Sequence, residues 1–172
     1  SRPPAPFPPA PRSPGPASRP ELRRVFGELP SIAIPDEIEA GNIRCLVVIG
    51  GSPLTALPDP ARTARIFEKL DALIVLDILE TPLTLMASHV LSVTGQLERD
   101  DLVVESRTML APAIVAPVAE RRATWKVLAG IGERLGVDIL DGRDANTLSD
   151  CDMIRAMINA GGGDADALLA AG

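Results

Sequence analysis

The sequence predicts an α/β fold in which a parallel sheet lies between helices. Two apolar runs rich in β-branched residues, 43–49 and 72–78, lack polar alternation, which is typical of strands covered on both faces. Between them, Asp59 and Pro60 mark the start of a helix expected to run to about Leu70. A strand–helix–strand unit of this length implies a parallel pair of strands with a right-handed crossover.

The flanking elements before and after this unit are shorter. Ahead of it we expect a helical piece over Leu22–Phe26 and a second helical stub that ends at Gly41. After it, Thr81 followed by proline repeats the cap signal and opens a helix to about Ser88. The residues HVLSV, 89–93, form a short third strand, and 95–117 are expected to be extended or irregular.

The C-terminal part is predicted to be mainly helical. Trp125, Leu128, Gly132 and Leu135 mark one face of a helix over about 122–135, which Gly136 stops. The predictions for the rest are a strand over Val137–Leu140, a helix from the capping box of Ser149 and Asp152 to about Asn159, and a short last helix after Gly161–Gly163.

The chain divides by composition. Residues 1–20 hold nine of the 17 prolines and no acidic residue, so we expect a disordered, Pro-rich tail. Residues 21–140 then form the α/β domain and 141–172 a C-terminal helical segment. The first residue is Ser1 rather than Met, so we expect either a processed chain or a part of a longer polypeptide.

Composition narrows the classes of partner. The net charge is −6, with no Lys/Arg cluster in the predicted domain, which argues against nucleic acid. No stretch approaches the ~18 apolar residues of a membrane span. Cys45 and Cys151 fit no metal spacing and are expected to be small buried hydrophobes in a reducing, cytoplasmic compartment. His89 is the single histidine, so we assign no metal ligand and no catalytic residue.

The first predicted strand breaks on Gly50-Gly51-Ser52-Pro53. In open α/β sheets ligands bind beyond the carboxyl ends of the strands, and glycines let the backbone approach a ligand closely. Asp77 ends the second strand, and a carboxylate can accept the paired N–H donors of a guanine base. The same residues also suit a plain turn and a plain cap, and the glycines match neither the dinucleotide nor the P-loop pattern.

Longer motifs carry a family resemblance. The stretch IRCLVVIGGSPLTALPDPARTARIFEKLDALIVLDILETPLTLMASHVLSVTGQLERDD, and later AERRATWKVLAGIGERLG, resembles the central region of molybdopterin oxidoreductases, the dimethyl sulfoxide reductase and formate dehydrogenase superfamily. The resemblance covers about Glu21 to Gly172 and implies a Rossmann-like three-layer sheet with helices on both faces, here an incomplete domain. It also implies binding of the guanine dinucleotide portion of a molybdenum cofactor, molybdopterin guanine dinucleotide.

The resemblance assigns cofactor contacts by position. In the family, a strand ends in a G-G-N-P loop that contacts the cofactor, and so do the end of the next strand and single positions in three later motifs. The matching residues here are Gly50, Gly51, Ser52, Pro53, Leu76, Asp77, Thr81, Arg99 and Thr124. The sequence departs from the family at four of these motifs. Ser52 replaces the family's Asn, Thr81-Pro82-Leu83 replaces T-E-T, Arg99 replaces Lys and Thr124 replaces Asp.

The family's iron–sulfur module, molybdenum ligand and C-terminal barrel have no counterpart in these residues. We therefore expect this chain alone not to be catalytic, and to act with the missing domains of a longer oxidoreductase. The alternative is a non-catalytic remnant or protein-interaction module that keeps the α/β fold. Substitution at Ser52, Pro82, Leu83 and Thr124 favours that alternative.

Overall fold

The structure is a computed structural model that describes residues 15–24, 27–104 and 108–170. The predicted proline-rich tail therefore lies outside the described residues up to position 14, and so do the last two residues of the predicted helical piece at Leu22–Phe26. The described part of that piece, 22–24, is not helical. Two units divide the chain: one contains the residues up to Val75 with Glu80–Val90, the other Leu76–Leu79 with the residues from Leu91 on.

Parallel strands and short helices make up most of the first unit, and the last two residues of β2 and of β3 belong to the second. Strands β1 (Cys45–Ile49), β2 (Ala72–Asp77) and β3 (His89–Ser92) form a three-stranded parallel sheet in the order β1-β2-β3. Its helices are α1 (Ile34–Glu39), α2 (Pro53–Ala56), α3 (Pro60–Phe67) and α4 (Pro82–Met86). The predicted α/β class with a parallel sheet is confirmed, as an incomplete domain.

Helix starts follow the predicted caps. The Asp59 carboxylate accepts a hydrogen bond from the Arg62 N–H at 2.9 Å, with Pro60 as the first helical residue of α3. Thr81 and Thr84 form a reciprocal capping box that starts α4. Both signals work because the side-chain oxygen satisfies an N–H that has no partner inside the helix.

An apolar core fills one face of the sheet. Its buried members are Ile38, Val48, Ile66, Phe67, Leu73, Val75 and Leu83. Within β1 only Leu46 and Val48 point to this core, because side chains alternate along a strand. Cys45, Val47 and Ile49 are exposed, so the predictions that β1 is covered on both faces and that Cys45 is buried are wrong.

The second unit begins with a hairpin. Strands β4 (Asp101–Val104) and β5 (Thr108–Ala111) pair antiparallel, with Asp101 opposite Ala111 and Leu102 opposite Leu110. They lie in the stretch expected to be extended or irregular, where no single residue pattern announces the pairing.

Helices complete the second unit: α5 (Thr124–Arg134), α6 (Asp150–Ala160) and α7 (Ala165–Ala170). All three were predicted, and the capping box of Ser149 and Asp152 starts α6. The predicted strand over Val137–Leu140 is wrong: the Asp138 carboxylate accepts bonds from the N–H groups of Leu140 and Gly142 and folds the segment into turns. No helix in the described parts of the chain is both long and apolar enough to cross a bilayer.

Candidate functional site

The diglycine turn follows β1 and is open. Gly50 and Gly51 have φ values of +60° and +66°, a left-handed backbone that side chains with a Cβ rarely adopt. A Cβ at either position would meet no atom within 4 Å. The glycines are therefore required by backbone conformation and leave room beside the chain for a ligand.

Ser52 and Pro53 turn the chain from this bend into α2. The Ser52 carbonyl accepts bonds from the Thr55 and Ala56 N–H groups, each at 3.0 Å, while its hydroxyl makes no capping bond. Pro53 is the first residue of α2, a position where its missing N–H costs nothing. The Ser52 hydroxyl is thus not needed for the helix start and remains a donor for a bound group.

Asp77 is the last residue of β2, and its side chain caps the turn that follows the strand. Its Oδ1 accepts bonds from the N–H of Ile78 at 2.7 Å and of Leu79 at 3.4 Å. Its main-chain carbonyl accepts a bond from the Val93 N–H at 3.2 Å. The plain cap weighed from the sequence is therefore present. Oδ2 has no hydrogen bond to the described residues of its own unit, so the carboxylate keeps acceptor capacity.

Three other predicted contacts are less available to a ligand, because they are buried, half-buried or already hydrogen-bonded within the chain. Leu76 is 0% exposed, so neither its side chain nor its backbone is accessible to a ligand. The Thr81 hydroxyl accepts the Thr84 N–H at 3.2 Å as a helix cap. Thr124 is the first residue of α5 and is half-buried, beside the cap residue Ala123.

Arg99 is tied to its own loop. Its Nη2 and Nε donate to Asp101 Oδ2 at 2.9 and 3.3 Å, and its Nη1 donates to the Thr94 carbonyl at 3.0 Å. Because Val93 bonds to Asp77, Arg99 and Asp77 join the same short backbone segment. The structure thus brings these two predicted residues onto one network in the second unit. Gly50–Pro53 and Thr81 belong to the first unit.

Sequence reasoning missed a buried carboxylate at Glu98. It accepts bonds from the N–H groups of Gly95 at 2.7 Å and Val118 at 3.0 Å and pairs with Arg121. These two N–H groups, more than the Arg121 guanidinium, hold the pKa of Glu98 below its ordinary value. A pair separated by 23 residues leaves no periodic signal in the sequence, so only the fold reveals it.

Two further polar groups have surroundings that the sequence did not predict. Thr94 gave no signal in the sequence, and Cys151 was expected to be a small buried hydrophobe. The Thr94 hydroxyl is buried and has no hydrogen-bond partner among the described residues. The Cys151 thiol is half-buried and lies 3.2 Å from Asp100 Oδ2, and burial together with this carboxylate raises its pKa. A thiol with a raised pKa is a poor nucleophile at neutral pH.

A wide cleft lies elsewhere in the second unit, between α5 and the loop after it. Its volume is about 890 Å³, and residues of both signs of charge line it, among them Lys126, Arg143, Asp138 and Asp144. None of the residues predicted from the sequence as cofactor contacts lines this cleft.

Known proteins provide an independent comparison. No protein-family model matches the chain. It is 31% identical over 110 residues to a dimethyl sulfoxide/trimethylamine N-oxide reductase of Rhodobacter capsulatus, and 31% identical over 109 residues to an F420-dependent formate dehydrogenase alpha subunit of Methanocaldococcus jannaschii. It is 29% identical over 100 residues to an NADPH-Fe(3+) oxidoreductase alpha subunit of Geobacter sulfurreducens.

These relatives are all molybdopterin oxidoreductases. The chain is thus related to the molybdopterin oxidoreductases. The alignments cover 60%, 61% and 57% of this chain but only 13%, 16% and 12% of the respective relatives. The chain therefore corresponds to a small part of each molybdopterin oxidoreductase that it matches.

Proposed function

We propose that this chain contributes to a molybdopterin-dependent oxidoreductase by binding the guanine dinucleotide portion of the molybdenum cofactor. The observation that carries the proposal is the open diglycine turn at the end of β1, in a relative of molybdopterin oxidoreductases. The turn has the conformation and the space that close approach of a nucleotide to the backbone requires.

The proposed contacts in the first unit are main-chain N–H groups. Gly50 and Gly51 present backbone without side chains, and Ser52 adds a hydroxyl that the α2 start does not use. Such groups suit the phosphate oxygens of a dinucleotide, which are strong acceptors. Pro53 fixes the chain direction after the turn. Thr81 contributes through its backbone or through a shared hydroxyl, because its side chain already caps α4.

The proposed contact in the second unit is the Asp77 carboxylate. Oδ1 is engaged by the turn, whereas Oδ2 retains lone pairs for the N–H donors of guanine. Leu76, Arg99 and Thr124 complete the proposed set. Leu76 is fully buried and supports the neighbouring Asp77 from within the fold, whereas Arg99 acts through those guanidinium N–H groups that Asp101 and Thr94 leave unused.

The redox chemistry in this proposal belongs to the molybdenum cofactor, and the residues of this chain hold and orient its nucleotide end. Electron transfer would take place in a longer oxidoreductase that supplies the remaining domains. We place that protein in the cytoplasm, because both cysteines are free thiols, which suits a reducing compartment.

Nucleotide titrations of the full chain test the proposal. Guanosine diphosphate (GDP) is the probe, adenosine diphosphate (ADP) controls for the base, and two-dimensional amide NMR reads the response by residue. We expect GDP in the millimolar range to shift the Gly51, Ser52 and Asp77 signals, and ADP to shift the Asp77 signal less. Unchanged Gly51 and Asp77 signals throughout the GDP titration would refute the proposal.

One observation favours the alternative of a protein-interaction module. Cys45, Val47 and Ile49 expose one apolar face of β1, with Val47 42% and Ile49 53% accessible. Exposed apolar patches often mark protein contacts. Self-association that Val47→Thr abolishes, seen by size-exclusion chromatography together with no response to GDP, would favour the module over the cofactor-binding domain.

A further inference from the structure

Arg121 forms a hydrogen bond to the main chain one residue after Asp77. Its Nη2 donates to the Ile78 carbonyl at 3.0 Å, although 43 residues separate the two positions. The preceding peptide group is bonded as well, because the Val93 N–H donates to the Asp77 carbonyl at 3.2 Å. Bonds from two distant parts of the second unit therefore fix Asp77 and Ile78.

Glu98 in turn orients Arg121. The Arg121 Nη1 lies 3.1 Å from both Glu98 oxygens, a position that a flexible guanidinium keeps only when its acceptor is fixed. The acceptor is fixed because Glu98 also receives the Gly95 and Val118 N–H groups. Its side chain is only 7% exposed, so water competes little for these bonds.

The chain of contacts ends at the Asp77 side chain. The Ile78 carbonyl accepts a hydrogen bond from Arg121, and the Ile78 N–H donates to Asp77 Oδ1. One residue therefore links the guanidinium to the carboxylate. The Ile78 carbonyl shares its peptide group with the Leu79 N–H, which also donates to Asp77 Oδ1, at 3.4 Å, so a rotation of that peptide would break both of these bonds together. The orientation of the Asp77 carboxylate is therefore coupled to the Glu98–Arg121 pair.

We propose that Glu98 and Arg121 are positioning residues that set the orientation of Asp77 for its nucleotide. The inference rests on the proposed function of Asp77 as a guanine contact. A pair that only fastened the loop between Gly95 and Val118 would have no need of the bond from Arg121 to Ile78. Groups that orient a binding residue in this way matter because small displacements weaken directional contacts.

The test compares Arg121→Lys with Arg155→Lys in the full chain. Lysine keeps the charge but cannot reach Glu98 and the Ile78 carbonyl together, since it lacks the forked guanidinium. Arg155 is the matched control, because it lies in the same unit and pairs with Asp166 at the surface. The readouts are amide hydrogen exchange at Ile78 and Leu79 without ligand, and the GDP dissociation constant.

We expect Arg121→Lys to speed exchange at Ile78 and to weaken GDP binding, each by roughly tenfold, because one charged hydrogen bond is lost. Arg155→Lys should change neither. A purely structural pair would instead alter exchange at Gly95 and Val118 and leave Ile78 at its wild-type rate, and that result would overturn the inference. Glu98→Gln provides a second variant with the same expected direction, should Arg121→Lys fold poorly.

The GDP arm separates the two proposals. A wild-type chain that does not bind GDP, with Ile78 exchange still faster in Arg121→Lys, would overturn the nucleotide function and support the coupling of Arg121 to Asp77. GDP binding by the wild type with equal affinity and equal Ile78 exchange in Arg121→Lys would overturn the positioning role alone.

Discussion

Replacing Gly51 by alanine separates the backbone role of the turn from its binding role. At φ +66° an added Cβ is strained by the left-handed conformation, yet it meets no atom within 4 Å. The cost in the free energy of unfolding should therefore be the conformational term alone, about 1–2 kcal/mol, with no added clash. A methyl group on the open side of the turn would also stand where we propose that the nucleotide approaches.

Gly41→Ala is the matched control, because Gly41 has φ +76°, also has nothing within 4 Å of a Cβ, and follows α1 rather than β1. Urea unfolding of the full chain should show the same loss of stability for both variants. GDP titration should show weaker binding only for Gly51→Ala. Equal GDP affinity in the two variants would refute the assignment of the turn as a contact, and a much larger destabilisation by Gly51→Ala would refute the open geometry.

Three further variants test the fold. Leu83→Ala should lower the unfolding free energy by about 2–5 kcal/mol in urea titrations, because Leu83 is fully buried in the core. Ser149→Ala should cost about 1 kcal/mol in the same assay, because it removes the bond to the Asp152 N–H that caps α6. The pKa of Glu98 is lowered in the folded chain, so its stabilisation is complete above the ordinary carboxyl pKa and disappears as the pH falls through the lowered value. The stability gap between wild type and Glu98→Gln should therefore shrink on acidification, measured by urea unfolding at a series of pH values. A loss below 1 kcal/mol for Leu83→Ala, no loss for Ser149→Ala, or a gap independent of pH would contradict the corresponding contact.

Local signals were sufficient for much of the secondary structure. Asp59, Thr81 and Ser149 each cap a helix where the sequence predicted one, because a capping bond depends on residues only three apart. The parallel strands also followed from their apolar runs and from the helix between them.

The errors arise where burial depends on neighbours distant in sequence. The apolar composition of β1 predicts two covered faces, yet only one face contacts the core. Val137–Leu140 has the composition of a strand, but Asp138 binds the following N–H groups and makes turns instead.

For the candidate site, the sequence predicted contacts at the diglycine turn and at Asp77 but could not predict the residues that hold Asp77. The turn was recognisable because two adjacent glycines after an apolar run indicate a left-handed backbone. Glu98 and Arg121 carry no such mark, since charged residues in a loop are usually solvated. Their pairing depends on how the loop between them folds back toward Ile78.

The base preference of Asp77 tests the central claim most directly. In Asp77→Asn the remaining oxygen can still accept the Ile78 N–H, whereas the new amide presents a donor to the donors of guanine. Calorimetric dissociation constants for GDP and ADP give the preference of each chain. We predict that the wild type favours GDP by roughly tenfold or more and that Asp77→Asn abolishes this preference. An equal preference in the two chains would contradict the claim that Asp77 recognises the base.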